Sequence, residues 1–392
     1  MENTVIVAGA RTAFGSFGGS LKDVSPTEMV RIVIEETLTR ADVPAEKLDG
    51  VIIGQVIPRT DENNLVARGG ALAAGVPYTV PCHCTIRGCG SGMDSIMAGA
   101  RQIMLGEDEV ILAGGVDNMS MSPYLSKDAR FGLRMRDSVL VDSLWEVLQD
   151  PSTRLMMGET AENIAARHDI TREDQDEHAH TSNQRALAAI GNGKLKPQIV
   201  PVEVKTRKGS FVFDTDEHPR DTTLEKLAKL PTIFREGGTV TAGNASGIND
   251  GAAAVLLMSE SRARAQDIAP TGRIVSFAVA AVDPAYMGYG PVPASRKALE
   301  RAGMKVDDIE YWEINEAFAA QYLYCERELG IDRDRTNIWG GAIAYGHPVG
   351  ASGSRVTINI LEVLRDRDAT IGLATLCIGG GQGVAMIVER LS

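Results

Sequence analysis

The chain repeats itself at one fixed offset, and this constrains its fold more than any other feature. Arg40-Ala41-Asp42-Val43-Pro44-Ala45-Glu46-Lys47-Leu48-Asp49 is similar to Arg301-Ala302-Gly303-Met304-Lys305-Val306-Asp307-Asp308-Ile309-Glu310, with Ala41 and Ala302 261 residues apart. The same spacing aligns Ser91-Gly92 with Ser352-Gly353. It also aligns Val110-Ile111-Leu112-Ala113 with Ile371-Gly372-Leu373-Ala374. One offset held over three separated segments argues for duplicated halves. Each half reads strand, helix, strand, turn, helix, strand. Residues 27–38 and 294–302 have helical periodicity, and 51–56 and 312–314 read as short strands. Residues 109–113 and 371–376 read as buried central strands. Strands alternating with helices predict mixed sheets covered by helices.

Residues 118–248 fit neither half. They hold a helical run at 158–168, a longer acidic one at 172–190, and a basic, turn-rich stretch, Lys205-Thr206-Arg207-Lys208-Gly209. This segment reads as an insertion. The expected boundaries are 1–117 for the first half, 118–248 for the inserted domain, 249–270 for a return to the first half, and 271–392 for the second.

Composition sets outer limits. A net charge of -12 argues against nucleic acid or an anionic membrane as partner. Five irregularly spaced cysteines do not form a disulfide framework, so a reducing compartment is expected. Met1-Glu2-Asn3-Thr4 lacks the basic start of a targeting peptide, and Glu389-Arg390-Leu391-Ser392 carries no peroxisomal signal. The longest uncharged stretch, 371–388, is broken by five glycines and Gln382, which predicts two buried strands around a turn and no membrane span.

Three glycine-rich turns hold the groups with chemistry: Gly88-Cys89-Gly90-Ser91-Gly92, Gly346-His347-Pro348-Val349-Gly350 and Cys377-Ile378-Gly379-Gly380-Gly381. Glycines let backbone N–H groups approach a reacting oxygen. Cys89 precedes a predicted helix, 90–106, whose positive end lowers a thiol pKa. Read alone, it fits a nucleophile or a buried small hydrophobe. His347 fits a base for such a thiol or a satisfied structural histidine. Cys377 fits a reactive thiol or part of a glycine hairpin. A dinucleotide loop fits it poorly, because a strand follows. Asn315 fits an N-cap for a helix over 316–324. Cys82-His83-Cys84, in a predicted strand at 79–86, has the wrong spacing for zinc. His178-Ala179-His180 sits at a spacing where the rings diverge, which predicts a solvated helix face.

In order along the chain come Val7-Ala8-Gly9-Ala10-Arg11-Thr12, Met157-Gly158-Glu159-Thr160-Ala161-Glu162-Asn163, Thr241-Ala242-Gly243-Asn244-Ala245-Ser246-Gly247 and Asn315-Glu316-Ala317-Phe318. Gly346-His347-Pro348 and Cys377-Ile378-Gly379-Gly380-Gly381 follow. This series resembles the thiolase family over nearly the whole chain. The resemblance implies an α/β fold of duplicated βαβαβ halves, layered α-β-α-β-α, with an inserted loop domain over the active site. It implies an acyltransferase that joins acetyl-CoA to acyl-CoA, or cleaves 3-ketoacyl-CoA with CoA, through a cysteine acyl-enzyme. By the same resemblance Cys89 carries the acyl group, His347 is its base, and Cys377 moves the proton on carbon. Asn315 holds a water for the enolate oxygen, and the Gly379 N–H joins that of Cys89 on the thioester oxygen. Arg220, Ser246, Met156, Met157, Phe318 and Met287 match substrate contacts. No metal or redox cofactor is implied, with CoA serving as substrate and product. The expected assembly is a homodimer or homotetramer, in the cytoplasm.

The chain departs from the family pattern at several places. Ile86 and Trp339 stand where Asn is usual, Met156 where short-chain members often have His, Tyr345 where Leu is usual, and Asp94 where Gln is common. Ile86, Met156 and Trp339 are expected near the acyl end of the site, with Ile86 and Trp339 alternatively only repacking the scaffold behind the catalytic turns. The rival readings are a ketoacyl synthase and a CoA- or lipid-binding protein. Cys377 and the Asn315 motif count against the first. The complete set of chemical groups counts against the second.

Overall fold

The computed structural model describes residues 2–58, 65–135 and 137–391, so Met1 and Ser392 of the terminal sequences lie outside it. Its main strands are β1 (Thr4–Thr12), β2 (Gly50–Gly54), β3 (Cys82–Thr85), β4 (Val110–Asn118), β5 (Asn249–Ser259), β6 (Gly272–Ala281), β7 (Tyr311–Ile314), β8 (Ile371–Ile378) and β9 (Gln382–Arg390). Its main helices are α1 (Pro26–Ala41), α2 (Ser91–Leu105), α3 (Met157–Arg167), α4 (Arg172–Gly191), α5 (Pro291–Ala302), α6 (Ala319–Leu329) and α7 (Ser352–Asp366). The repeat survives in three dimensions. Helix α2 starts at Ser91 and α7 at Ser352, β4 at Val110 and β8 at Ile371, β2 at Gly50 and β7 at Tyr311.

The strands run β7-β8-β9-β6-β1-β5-β4-β2-β3 through one mixed sheet. The halves meet where β1 pairs with β6, over only Val5↔Arg273 and Ile6↔Gly272. Strands β2, β3 and β4 are parallel, as are β7 and β8, and the remaining neighbours are antiparallel.

The layering follows from side-chain alternation. Leu112 and Leu256 face one way and pack with Met29, Val30, Val33 and Ile34 of α1. Their neighbours Ile111, Ala113, Val255 and Leu257 face the other way, onto Ile96, Met97 and Ala100 of α2. The same cluster takes in Val356, Ile358 and Ile360 of α7 and then Ala374, Leu376 and Met386 of the second half. Leu373 and Ile387, on the opposite face, meet Ala294, Ala298 and Leu299 of α5. The order is therefore α, β, α, β, α, with α2 and α7 as the buried middle layer. Strands covered on both faces read as continuous apolar runs, as β4 and β8 do.

The duplication is incomplete. The counterpart of β3 in the second half is a short helix, Ala342–Tyr345. Two of the N–H groups there go to side chains and none to a ladder: Gly341 N donates to Ser182 Oγ (3.0 Å) and Ile343 N to Glu316 Oε2 (3.2 Å), while those of Ala344, Tyr345 and Gly346 close the helical turn. Ser182 belongs to α4, so the inserted segment takes the place of a strand partner. The uncharged stretch is the β8–β9 hairpin. Among the described residues no helix is long and apolar enough to cross a membrane.

Candidate active site

Cys89 occupies the turn before α2. Ser91 Oγ accepts from Arg87 N (2.8 Å) and donates to Gly88 O (2.7 Å), which closes this turn. The turn lies against the end of β8. A Cβ on Gly90 would sit 2.6 Å from Ile378 Cδ1 and 3.2 Å from Val384 Cγ1, so glycine eases this approach. Across the contact, the backbone N–H of Gly379 and that of Cys89 itself lie near enough to the thiol to favour its ionised form. Burial outweighs these donors and pushes the thiol up to about 11. The sequence predicts a lowered value from the helix end; desolvation of the thiolate reverses it.

His347 lies in the turn leading to α7. Gly346 before it has φ +95, and a Cβ there would lie 2.1 Å from Asn249 Cγ. Asn249 Oδ1 in turn accepts from His347 N (3.0 Å). The turn is tied down further by Asp117, whose Oδ2 accepts from Gly350 N (2.7 Å) and whose Oδ1 accepts from Ile57 N (2.9 Å). Burial raises the Asp117 carboxyl to about 7. His347 Nδ1 lies 2.6 Å from Ser352 Oγ. The Ser352 hydroxyl donates its one proton to Pro348 O (2.9 Å), so it accepts from Nδ1–H. That assigns the proton to Nδ1 and leaves Nε2 unprotonated, an acceptor with the Asn315 amide nitrogen 3.4 Å away. Burial, helped by the charge of Arg355, lowers the His347 pKa to about 3, and the ring is neutral near pH 7.

Cys377 ends β8 with its thiol fully buried. Burial drives its pKa well above the usual thiol value, and neighbouring Cys89 adds to the effect. It packs with Met287, Ala317 and Phe318, with Met157 and Phe234 beside them. Asn315 follows β7 and is pinned through its backbone N to Thr375 O (2.9 Å). Its Nδ2 lies 3.4 Å from His347 Nε2. Asn315 is not a helix cap: α6 begins only at Ala319, after an extended Phe318.

A cavity of about 450 Å³ reaches His347, while Cys89, Asn315, Cys377 and Gly379 are not in its wall. Its wall includes His347, Met156, Met157, Phe318, Arg220 and Ser246. Met287 lies behind Cys377, outside that wall. Most of the rest is apolar: Phe17, Leu148, Ile233 and Phe234. Met156 opens α3, where its N donates to Glu159 Oε2 (2.6 Å). His218 stands beside Arg220 in the wall, lowered to about 4 by burial and by that arginine.

Other expectations change. Ile86 is 60% exposed just past edge strand β3 and is not in the cavity wall. Trp339 is buried in the cluster under α1, and its carbonyl accepts from Tyr345 Oη. Of the three departures only Met156 lines the cavity. Asp94 accepts from Thr85 Oγ1 and Arg87 Nε (both 2.9 Å), joining β3 to α2. His178 is not on a solvated face: it stacks on Tyr322 (3.9 Å) and lies 3.2 Å from Glu316 Oε1. The tertiary partner overrides the local charge pattern. Among the described residues no cluster of His, Cys, Asp or Glu could hold a metal ion, and Cys82 and Cys84 are free thiols. Sequence reasoning missed Asn249, Asp117, His218 and Arg355. Ser352 carried a signal, five residues after His347 in the same glycine-rich run.

Residues 4–261 match the thiolase N-terminal domain and residues 268–390 the thiolase C-terminal domain. The chain is 50% identical to an acetyl-CoA acetyltransferase of Pseudomonas aeruginosa, over the full length of both. Its structure matches that of the Bacillus anthracis acetyl-CoA acetyltransferase with a TM-score of 0.98 and 49% identity, covering 100% of this chain and 99% of the other. Human mitochondrial 3-ketoacyl-CoA thiolase in complex with CoA matches with a TM-score of 0.97 and 43% identity, covering 100% and 98%. The chain belongs to the thiolase family of acyltransferases.

Proposed function

We propose that this thiolase works by a ping-pong mechanism through an acyl-enzyme on Cys89. The observation that carries this reading is the close approach of the Gly379 N–H, in the Cys377 turn, to the Cys89 turn. One contact brings the two thiols and a pair of backbone donors together.

The protonation states shape the steps. Both thiols and the imidazole start neutral. The Cys89 proton moves to His347 Nε2 as sulfur attacks the thioester carbon. The bond to CoA sulfur breaks, and the departing thiolate takes the Cys377 proton. Cys377 is then the base that removes a proton from the methyl carbon of acetyl-CoA. The new carbanion attacks the acyl group, and Cys89 leaves and recovers its proton from His347. The N–H groups of Cys89 and Gly379 hold the thioester oxygen, while Asn315 and a water hold the enolate oxygen. Donors fixed in this way contribute about 10²–10³ each in rate. The protons balance without a metal or redox cofactor, and CoA is substrate and product. Arg220 and Ser246 take the CoA arm, with Met157, Phe318 and Met287 around the reacting end. We also propose a homodimer or homotetramer in the cytoplasm; the five free cysteines support a reducing compartment.

Met156 supports an acyl chain longer or bulkier than acetyl, because it makes the cavity wall apolar where a polar His is common. Each added buried CH₂ is worth about 0.8 kcal/mol, or about fourfold in preference. Thiolysis kcat/KM is expected to hold or rise from acetoacetyl-CoA to longer 3-ketoacyl-CoAs, and Met156→His should shift the preference to the shortest. A sharp optimum at acetoacetyl-CoA, unchanged by Met156→His, would remove Met156 from specificity.

A further inference from the structure

Behind Asn315 runs a chain of buried polar side chains that the reaction itself does not use. Arg355, on α7, donates to Asn315 Oδ1 (3.5 Å) and to Glu313 Oε2 (3.3 Å). The other oxygen of Glu313 accepts from Asn359 Nδ2 (2.8 Å), and Asn359 Oδ1 accepts from Gln198 Nε2 (2.8 Å). Gln198 Oε1 accepts from Arg11 Nε (2.9 Å), and Arg11 grips Asp216 with two bonds of 2.7 and 2.8 Å. Every member is buried. Two ion pairs are thus enclosed in the core. Burying an ion pair is seldom favourable for stability alone, because desolvation offsets the attraction. Arg355 even leaves its Nε–H without a partner.

The geometry at the near end gives the pair a task. An Asn side chain presents an oxygen on one side and an NH₂ on the other. Here the cationic guanidinium meets the oxygen, so the NH₂ is turned toward His347. A reversed amide would set NH₂ against guanidinium. Glu313 holds Arg355 on the opposite side; burial pulls the Glu313 carboxyl up to about 7, and the guanidinium and the Asn359 bond favour its charged form. Residues 352 and 355 lie one turn apart on α7, so one helix end orients both the imidazole, through Ser352, and Asn315, through Arg355.

We propose that the buried Glu313–Arg355 pair is a positioning unit for Asn315, holding its amide oxygen so that its N–H groups face the enolate oxygen in the carbon–carbon step. This rests on the reading of Asn315 given above. Neither Glu313 nor Arg355 touches the thioester that acylates Cys89. Glu313→Gln and Arg355→Lys both keep a cation at position 355, the charge that helps hold His347 neutral, so they should weaken the second half-reaction far more than the first.

The test compares two half-reactions: acyl transfer from acetyl-CoA to Cys89, read by acid quench and peptide mass, and loss of deuterium from methyl-labelled acetyl-CoA. Glu313→Gln keeps the shape and removes the charge that holds Arg355. Its acylation rate should fall by less than about threefold while methyl exchange falls about tenfold, the value of one misplaced hydrogen bond. In an Asn315→Ala background the same substitution should change exchange by less than about twofold, since coupled residues are not additive. Arg355→Lys, which keeps the charge and loses the fork, should show the same pattern and stands in if Glu313→Gln does not fold. Equal losses in both half-reactions, or effects that multiply with Asn315→Ala, would overturn the proposal. If the native enzyme acylates Cys89 and exchanges deuterium but Asn315→Ala exchanges normally, the role of Asn315 fails first and the positioning role falls with it.

Discussion

Cys89→Ala should leave a folded protein that forms no acyl-enzyme and has lost about 10⁴ or more in thiolysis kcat/KM. The size of the effect follows from what else could take over. Cys82 and Cys84 lie on edge strand β3, and of the three cysteines in this region only Cys89 sits in the turn against Gly379. Cys325 is buried on α6, its thiol donating to Gly288 O (3.3 Å) and raised to about 12 by burial. Cys377 neighbours Cys89, but its sulfur has only its own N–H beside it where Cys89 has two, and burial holds its thiol well above the usual value. Alanine fills the turn before α2 without disturbing the Ser91 bonds, so thermal stability should change little. Residual activity above a few per cent of native, with Cys89 absent, would mean that acyl transfer runs through another group.

Cys377→Ala should separate the two halves of the reaction. The acyl group should still reach Cys89, more slowly, because the departing CoA thiolate loses its proton donor. Condensation and exchange of the acetyl-CoA methyl protons should fall by about 10²–10⁴, the usual cost of losing a positioned acid or base. The fully buried side chain of Cys377 gives a second readout. Removing one sulfur among Met287, Phe318 and Met157 leaves a small cavity, so a modest drop in melting temperature is expected in parallel. Stability and exchange must come apart for the chemical role to hold. Normal washout of deuterium from labelled acetyl-CoA in Cys377→Ala would refute the division of labour.

The repeat and the three glycine turns made much of this molecule legible in its sequence. An offset of 261 residues is a statement about two structures at once, and Ser91 and Ser352 do open equivalent helices. Local rules failed where a distant partner decided the outcome. The helix pattern after Asn315 starts later than expected because Glu316 is drawn into bonds with Asn337, Ser182 and Ile343. His178 reads as surface from its acidic neighbours, yet it stacks on a ring that the second half supplies. Ile86 and Trp339 stand next to motif residues in sequence, but one is solvent-facing and the other is turned into the outer core. The partners of His347 come from residues 249 and 352 and, through Gly350, from 117. Only the second of these is near it in sequence. The Cys89 pKa shows a further limit: the helix end was visible in the sequence, and the burial that overrides it was not.

The most direct test of the account is the address of the acyl group. The native protein is incubated with acetyl-CoA, quenched in acid, digested, and its peptides are weighed. The account predicts an added acetyl group on the peptide containing Cys89, removed again when CoA is supplied before the quench. An acetyl group on Cys84 or Cys377, with Cys89 unmodified, would contradict it.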